Sequence, residues 1–226
     1  MRPRGEDADT RRLREVLEHM RIQDVLDEDV ELLNTRVLED LPVEERVTFD
    51  EALYLCPTNA LADDLNHARL EASNKPVLIL PALHTGTGAS KESDDNAEGL
   101  QPRLLLMESA KVMLTQHLWT LQGLTKGTMG VIGTLLNYLL LSDVCTDSII
   151  FRPDQQPHTD LPSVIMVAIP SYRGPTEWHN SDGVPLVPIV PSVARWEKNG
   201  RPCSRKQYPL RLAYAISIHN FTSLNG

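Results

Sequence analysis

Apolar residues recur at helical spacing in the first part of the chain, and charged residues fill the positions between them. This pattern is typical of helices with one buried face. Two sets have the spacing: Leu13, Val16, Leu17 and Met20, and then Val30, Leu33, Val37 and Leu41. They predict two amphipathic helices within residues 9–41, as part of a helical lead-in over residues 1–50.

A short apolar run, Leu53–Cys56, is closed by Pro57 and followed by Thr58 and Asn59, which are good helix N-caps. We therefore predict a strand, a tight turn and a helix that extends to about Ala72. Such a turn points free backbone N–H groups at whatever lies above the strand, so it can hold a phosphate. The alternative is an ordinary capped helix, because most such caps bind nothing.

Further apolar runs predict strands at residues 76–83, 104–107 and 111–115. The first run leads into glycines and Lys91, which suggests a nucleotide-binding loop. That loop needs Gly before the lysine and Ser or Thr after it, whereas Ser90 and Glu92 stand there. We reject this nucleotide site and predict an exposed loop over residues 84–102.

Short β-rich runs separated by turn residues begin at Gly123 and continue to about residue 206. Evenly spaced short strands are typical of a small barrel, and residues 137–162 would form a long loop within it. The last part, residues 195–206 together with Arg211, holds six basic residues and one acid around Trp196. Two interpretations stay open: a channel for single-stranded nucleic acid, with phosphates on the cations and a base on the ring, or a solvated hairpin.

A dense apolar segment, residues 207–219, also contains polar residues. Pro209 could open a helix that presents Ser217 and His219 where it leaves the core. The alternative is a buried strand or helix with an incidental histidine.

Composition limits the functional classes. The chain has 226 residues, 41% of them apolar, and a formal charge of −9, so it cannot coat nucleic acid over its whole surface and any such contact must be local. Its three cysteines are far apart and suggest neither a disulfide framework nor a zinc site, which favours a reducing compartment. No apolar run approaches the roughly 20 residues of a membrane span, and we expect a soluble intracellular protein.

The segment Gln207–His219 resembles the motif Q-x-P-L-R-L-A-Y-A-I-T-I-H of the petite integration frequency (Pif-type) and RecD-like helicases, 5′-to-3′ DNA helicases of superfamily 1B. The P-T-N turn at residues 57–59, with Asn66 after it, and the V-M-L-T run at residues 112–115 are similar to further segments of that family. These segments also follow one another along the chain in the same order as in that family. The chain departs from the pattern where Lys-Ser-Gln-Gly should follow His219, at Gln116 and His117, and at Lys126, where relatives usually have Asn.

The resemblance implies an α/β fold: a partial second RecA-like motor domain of the P-loop NTPase type, over residues 51–122 and 207–226, with an SH3-like barrel inserted at residues 123–206. From the resemblance and the basic segment together we expect DNA contacts from Thr58, Asn59, Asn66, Lys126, Trp196, Arg205, Lys206, Arg211, Ser217 and His219. Single-stranded DNA is the expected partner, with a missing first motor domain as another.

The family hydrolyses ATP with Mg²⁺, but this chain lacks the Walker A, Walker B and arginine motifs, so we expect no cofactor, no metal and no catalytic residue in it. The resemblance implies a place in the nucleus or the mitochondrion. The first hypothesis is a fragment of an ATP-dependent DNA helicase of genome maintenance or of a transposable element. The others are a stand-alone nucleic-acid-binding module without ATPase activity and a degenerate, non-functional chain.

Overall fold

A computed structural model describes residues 8–49, 52–133, 149–150 and 161–218. The chain divides into two compact units, Met1–Ala52 and Leu53–Gly226. The first is helical, and the strands belong to the second. The predicted boundaries at residues 122 and 206 stay predictions.

The first unit contains helices α1 (Ala8–Ile22), α2 (Asp27–Asn34) and α3 (Val43–Thr48) and a 3₁₀ turn at Leu38–Asp40. The first predicted helix is confirmed. The second ends at Asn34 rather than near Leu41. At that end the Thr35 hydroxyl donates to the Leu32 carbonyl at 2.7 Å. Pro42 then precedes α3 as its N-cap.

Buried Asp29 joins α1 to α2. Its Oδ2 lies 2.7 Å from His19 Nδ1 and accepts the backbone N–H of Leu26 at 3.0 Å, and Arg12 lies 3.3 Å from Oδ1. The bond from Leu26 lowers the pKa of Asp29, and His19 and Arg12 add to this effect. Ion pairs from Arg12 and His19 to Asp29 therefore connect the polar face of α1 to the start of α2.

The second unit has one long helix, α4 (Asn59–Ala72), among the described residues, and otherwise short strands. In chain order these are β1 (Tyr54–Cys56), β2 (Leu78–Pro81), β3 (Leu83–Thr85), β4 (Arg103–Leu106), β5 (Lys111–Leu114), β6 (Met129–Ile132), β7 (Ile149–Ile150), β8 (Val164–Ala168), β9 (Leu186–Ile189), β10 (Ser192–Lys198), β11 (Arg201–Gln207), β12 (Leu210–Leu212) and β13 (Ala215–Ser217). The strand–turn–helix of residues 53–72 and the strands at 104–107 and 111–115 are confirmed.

The largest sheet in the described ranges has the order β12-β5-β6-β8-β7, with β9 on the other edge of β8, and is antiparallel throughout. Its apolar side chains pack with those of the antiparallel β2–β4 pair to form the main core. Fully buried members include Leu80, Leu104, Leu106, Leu114, Ile165, Tyr208 and Leu210. No helix in the described ranges is both long and apolar enough to cross a membrane.

The segment after Pro209 is not a helix, so that expectation is wrong and its strand alternative holds. Strand β12 pairs antiparallel with β5, and β13 pairs parallel with β1, with Cys56 opposite Ser217. Leu210 and Leu212 are buried on either side of Arg211, which is the alternation of a strand. Pairing with strands distant in sequence overrides the local helical spacing.

Residues 84–102 are not an exposed loop either. They include β3 and a 3₁₀ turn at Ala89–Lys91, and Ala89, Ala97 and Leu100 are fully buried. Gly86, at φ +96°, lies so close to β11 that a Cβ there would be 2.7 Å from both Cys203 Sγ and the Pro202 carbonyl. This segment is folded because the β10–β11 hairpin covers it.

The basic segment forms that hairpin, whose turn residues Asn199 and Gly200 both have positive φ, as a two-residue turn requires. Strand β3 pairs with β11, so the sheet order is β10-β11-β3. No sheet in the described ranges closes, and the SH3-like barrel is not confirmed. Most of the expected long loop at 137–162 lies outside the described residues.

Asn66 attaches α4 to the start of β13. Its Nδ2 donates to the Ala215 carbonyl at 2.9 Å, and its Oδ1 accepts the N–H groups of Tyr214 and Ala215 at 3.0 and 2.9 Å. With 2% of its surface exposed, the side chain fixes a turn 148 residues away in sequence. A buried amide with three such bonds is a structural element of the fold.

We expect Asn66→Ala to destabilise the second unit strongly, because each buried backbone group left without a partner costs roughly 1–3 kcal/mol. Asp64→Ala, an exposed position on the same helix, is the matched control. Urea unfolding of both variants measures the difference. Equal midpoints would show that the buried amide contributes nothing.

Candidate nucleic-acid interface

A cleft of about 410 Å³ opens between the start of α4, residues 93–101, the end of β5 and the turn before β6. Three of the residues predicted from sequence line it together: Asn59, Lys126 and Arg211. The other lining residues are Asp63, Ser93, Asp94, Asp95, Glu98, Gly99, Gln101, Met113, Leu114 and Thr115. This cleft is the candidate site.

The start of α4 forms one side of the cleft. Thr58 is the N-cap, and its Oγ1 accepts the N–H of Leu61 at 3.2 Å. Thr58 therefore orients the helix, and Asn59 is the first helical residue. Because the positive end of a helix dipole favours anions, this side of the cleft suits a phosphate.

Arg211 is held between buried neighbours of β12, and only 13% of its side chain is exposed. Its Nη2 lies 3.3 Å from Oδ1 of Asp63, a residue of α4. Asp63 is 45% exposed, so the carboxylate stands on the solvent side of this ion pair. The guanidinium is thus directed into the cleft and already has an anionic partner.

Lys126 lies in the tight turn between residues 123 and 128. The Thr128 hydroxyl donates to the Gly123 carbonyl at 2.9 Å and accepts the N–H of Thr125 at 3.1 Å, which fixes the turn. The backbone N–H of Lys126 is 3.3 Å from His117 Nδ1. Within the described part of the chain, the Lys126 side chain has no ion-pair partner, which leaves its ammonium group for a ligand.

Residues 94–98 form an acidic wall. Asp94, Asp95 and Glu98 line the cleft there, Asp63 adds a carboxylate from α4, and the cations of the lining are Lys126 and Arg211. Partial burial raises the pKa of Asp94, and neighbouring Arg205 and Arg211 act against that rise. In the ranges that the structure describes, no cluster of His, Cys, Asp or Glu could hold a metal ion. The cleft therefore has a mixed charge.

Arg205 is fully buried, which corrects its expected place in an exposed basic patch. Its Nη1 donates to the Leu100 carbonyl at 2.7 Å and contacts Asp94 Oδ1 at 3.2 Å, and its Nη2 donates to the Glu92 carbonyl at 2.7 Å. A guanidinium enclosed in this way cannot reach a phosphate. It fixes instead the segment that carries the acidic wall.

Trp196 and Lys198 lie on the same face of the hairpin as Arg205. The Trp196 ring packs on buried Ala97, Leu100 and Ala194, so it belongs to a small core and is not an open stacking platform. Lys198 Nζ lies 2.8 Å from Glu92 Oε2. The basic segment is therefore a hairpin in which Arg205 and Lys198 have partners in the segment it covers, and its role as a single-strand channel stays a prediction.

Lys206 and Arg195 are exposed on the other face of this sheet. Lys206 stands opposite Val193 on β10 and Leu83 on β3, and Arg195 stands opposite Ser204. Neither residue lines the cleft. The exposed face of the hairpin is thus separate from the cleft, and a DNA contact by Lys206 stays a prediction.

Asn66 and Ser217 are buried, and the expectation that they are presented to DNA is corrected. The Asn66 amide is occupied by the backbone of residues 214 and 215, and Ser217 lies within β13. His219 lies outside the described residues.

Sequence reasoning missed Asp63, the acidic wall and Thr115. Asp63 follows Asn59 by four residues, so the two share a helix face, and this spacing could have indicated it. The wall could not be found, because residues 84–102 were expected to be an exposed loop.

No protein-family model matches this sequence, and no curated protein matches it. Solved structures do. The Pif1 helicase of Candida albicans has a TM-score of 0.60 at 20% identity, over 93% of this chain and 44% of that one. A structure of two coordinating Pif1 helicases that unwind forked double-stranded DNA has a TM-score of 0.59 at 17% identity, over 92% of this chain and 37% of that one.

Bacteroides Pif1 in complex with ADP-AlF3 and single-stranded DNA has a TM-score of 0.57 at 17% identity, over 92% of this chain and 40% of that one. The chain spans less than half the length of these helicases. At such identities the likeness concerns the fold. The chain therefore has a mixed α/β fold similar to part of a Pif1 helicase.

Arg205→Met should destabilise the second unit by about 3–5 kcal/mol, because it removes one partner of a buried charged network. Lys206→Met, next to it on the exposed face, should change stability by less than about 0.5 kcal/mol. Chemical denaturation of the two variants gives the comparison. Similar losses for both would mean that Arg205 is not the buried anchor.

Hydrogen bonds from Lys198 and Asn96 lower the pKa of Glu92 from 4.5 to about 2. The charged carboxylate therefore stabilises the fold above pH 4.5, and this contribution is lost as the pH falls toward 2. We expect Glu92→Gln to flatten the pH dependence of the melting temperature in that interval. Glu197→Gln, on the exposed face of the hairpin, is the control and should leave it unchanged.

Proposed function

We propose that this chain is part of an ATP-dependent 5′-to-3′ DNA helicase of the Pif type. Its part corresponds to the second RecA-like motor domain with an SH3-like insertion, and it binds single-stranded DNA at the cleft. The fold likeness over more than nine-tenths of the chain supports the assignment. The observation that carries the DNA site is the convergence of Asn59, Lys126 and Arg211, which are far apart in sequence, on one cleft.

The binding chemistry is limited. Two cations can neutralise at most about two phosphates, four carboxylates line the same cleft, and the helix start adds backbone donors. The formal charge of −9 repels DNA elsewhere. The affinity should be weak, because the contact is local, and it should favour a flexible single strand, which can enter a cleft of this size.

ATP hydrolysis needs a lysine loop for the phosphates, an acid for Mg²⁺ and an arginine for the developing charge. Lys91, the lysine nearest to a glycine-rich stretch, follows Ser90 in a 3₁₀ turn and precedes Glu92, so it does not fit such a loop. We assign ATP and Mg²⁺ to another domain of the parent helicase. The role proposed for this chain is to hold the strand during the motor's cycle.

The test is a fluorescence-anisotropy titration of labelled oligothymidine and of a duplex of equal length at several salt concentrations. We expect preference for the single strand and a slope of log K against log salt between about −0.7 and −1.4, at about −0.7 for each phosphate neutralised. Lys126→Gln and Arg211→Gln should each weaken binding. Lys126→Gln should flatten the slope by about 0.7, and Arg211→Gln, whose guanidinium is already paired with Asp63, should flatten it by less.

Lys75→Gln, an exposed cation outside both the cleft and the hairpin, is the control. Lys206→Gln tests the exposed face of the hairpin. A larger effect at Lys206 than at Arg211 would move the site away from the cleft. Equal affinity for the single strand and the duplex would refute the proposed role.

A further inference from the structure

We infer that Asp63 competes with DNA phosphate for Arg211, so that a strand enters the cleft by exchange of one anion for another. This inference rests on the proposed binding of single-stranded DNA at the cleft. It assigns to Asp63, whose negative charge prevents it from binding phosphate itself, a role in setting the affinity of the cleft for DNA.

Asp63 is the more exposed partner of the ion pair with Arg211. Arg211 Nη2 lies 3.3 Å from Asp63 Oδ1, with 13% of the arginine side chain and 45% of the aspartate side chain exposed. Both residues line the cleft, so a phosphate that binds Arg211 there comes close to this carboxylate. Direct contact with Nη2 therefore requires that the carboxylate withdraw or share the guanidinium.

Asp63 is the carboxylate of the cleft best suited to withdraw. Within the described residues Arg211 is the one hydrogen-bond or ion-pair partner of its carboxylate, which is 45% exposed and lies near the start of α4. Asp94, the other acid near Arg211, is bonded to a buried cation: its Oδ1 lies 3.2 Å from Nη1 of Arg205. The exchange therefore concerns Asp63, and Asp94 stays part of the wall.

The exchange should change how strongly DNA binding depends on salt concentration. A phosphate bound by Arg211 releases a condensed cation from the strand, and this release makes binding weaken with salt. The displaced Asp63 carboxylate attracts a cation from solution, which offsets part of that release. In the wild-type protein Arg211 should thus contribute less to the slope than an unpaired cation such as Lys126.

The test compares Asp63→Asn with Asp64→Asn in the full chain, by anisotropy with labelled oligothymidine over a salt series. The two variants make the same charge change at neighbouring positions of α4, but Asp64 is exposed and does not line the cleft. We expect Asp63→Asn to bind about two- to fivefold more tightly at low salt, with a slope steeper by up to about 0.7. Asp64→Asn should show the smaller effect of net charge alone.

Two further variants make the outcome specific. Asp63→Glu keeps the charge and should stay near the wild-type affinity, and in Arg211→Gln the added Asp63→Asn change should give no further gain beyond that of Asp64→Asn. If Arg211→Gln weakens binding but Asp63→Asn equals Asp64→Asn, the competition does not exist and the proposed site stands. If Arg211→Gln has no effect in the wild-type background, the proposed site itself is wrong.

Discussion

The buried guanidinium of Arg205 is the contact on which much of the second unit depends. A charge removed from water is tolerated when its donors find partners, and here the carbonyl oxygens of Ala89, Glu92 and Leu100 and the carboxylate of Asp94 accept from Nη1 and Nη2, while Nε has no partner among the described residues. These acceptors all lie in a segment with few apolar side chains. The arginine therefore organises a stretch of chain that could not bury enough apolar surface to fold by itself. The acidic wall of the cleft is one result.

Asn66, on the α4 side of the cleft, is a second buried polar side chain that fixes the backbone through hydrogen bonds. Its amide holds the turn at residues 214–215 against α4, and Arg211 lies just before that turn, on a strand fixed by β5. Arg211 is thus positioned by a buried polar contact as well as by strand pairing. A polar side chain that satisfies three backbone groups specifies one geometry, whereas apolar packing alone would tolerate several.

The elements with strong local signals were predictable from sequence. The strand, turn and helix of residues 53–72 have a proline, a threonine cap and helical spacing, and the hairpin has the Asn-Gly pair that its turn needs. The segment 207–219 was not, because its apolar residues have helical spacing, whereas its strands pair with partners about 100 and 160 residues away. Partners of that kind leave no local signal.

In the candidate site, too, some residues were predictable from sequence and others were not. Asn59, Lys126 and Arg211 were expected, since the first is in a turn that suits phosphate and the others are cations of recognised segments. Arg205 was expected beside them and is buried, because the acceptors that draw it inward are backbone carbonyls, which every residue has and no sequence pattern distinguishes. Residue type thus identified the cations. Only the folded segment 86–102 decided which of them face the cleft.

A motor that moves along a strand needs contacts that form and break in each step. A guanidinium that lost its phosphate and found no other anion would be left unpaired with little access to water, and that state would slow release. In the proposed exchange Asp63 takes back Arg211 when the phosphate leaves, so both states of the cleft keep the guanidinium paired. A mixed-charge cleft in an acidic chain then fits transient binding better than a uniformly basic groove would, because the carboxylate that weakens the bound state also eases release.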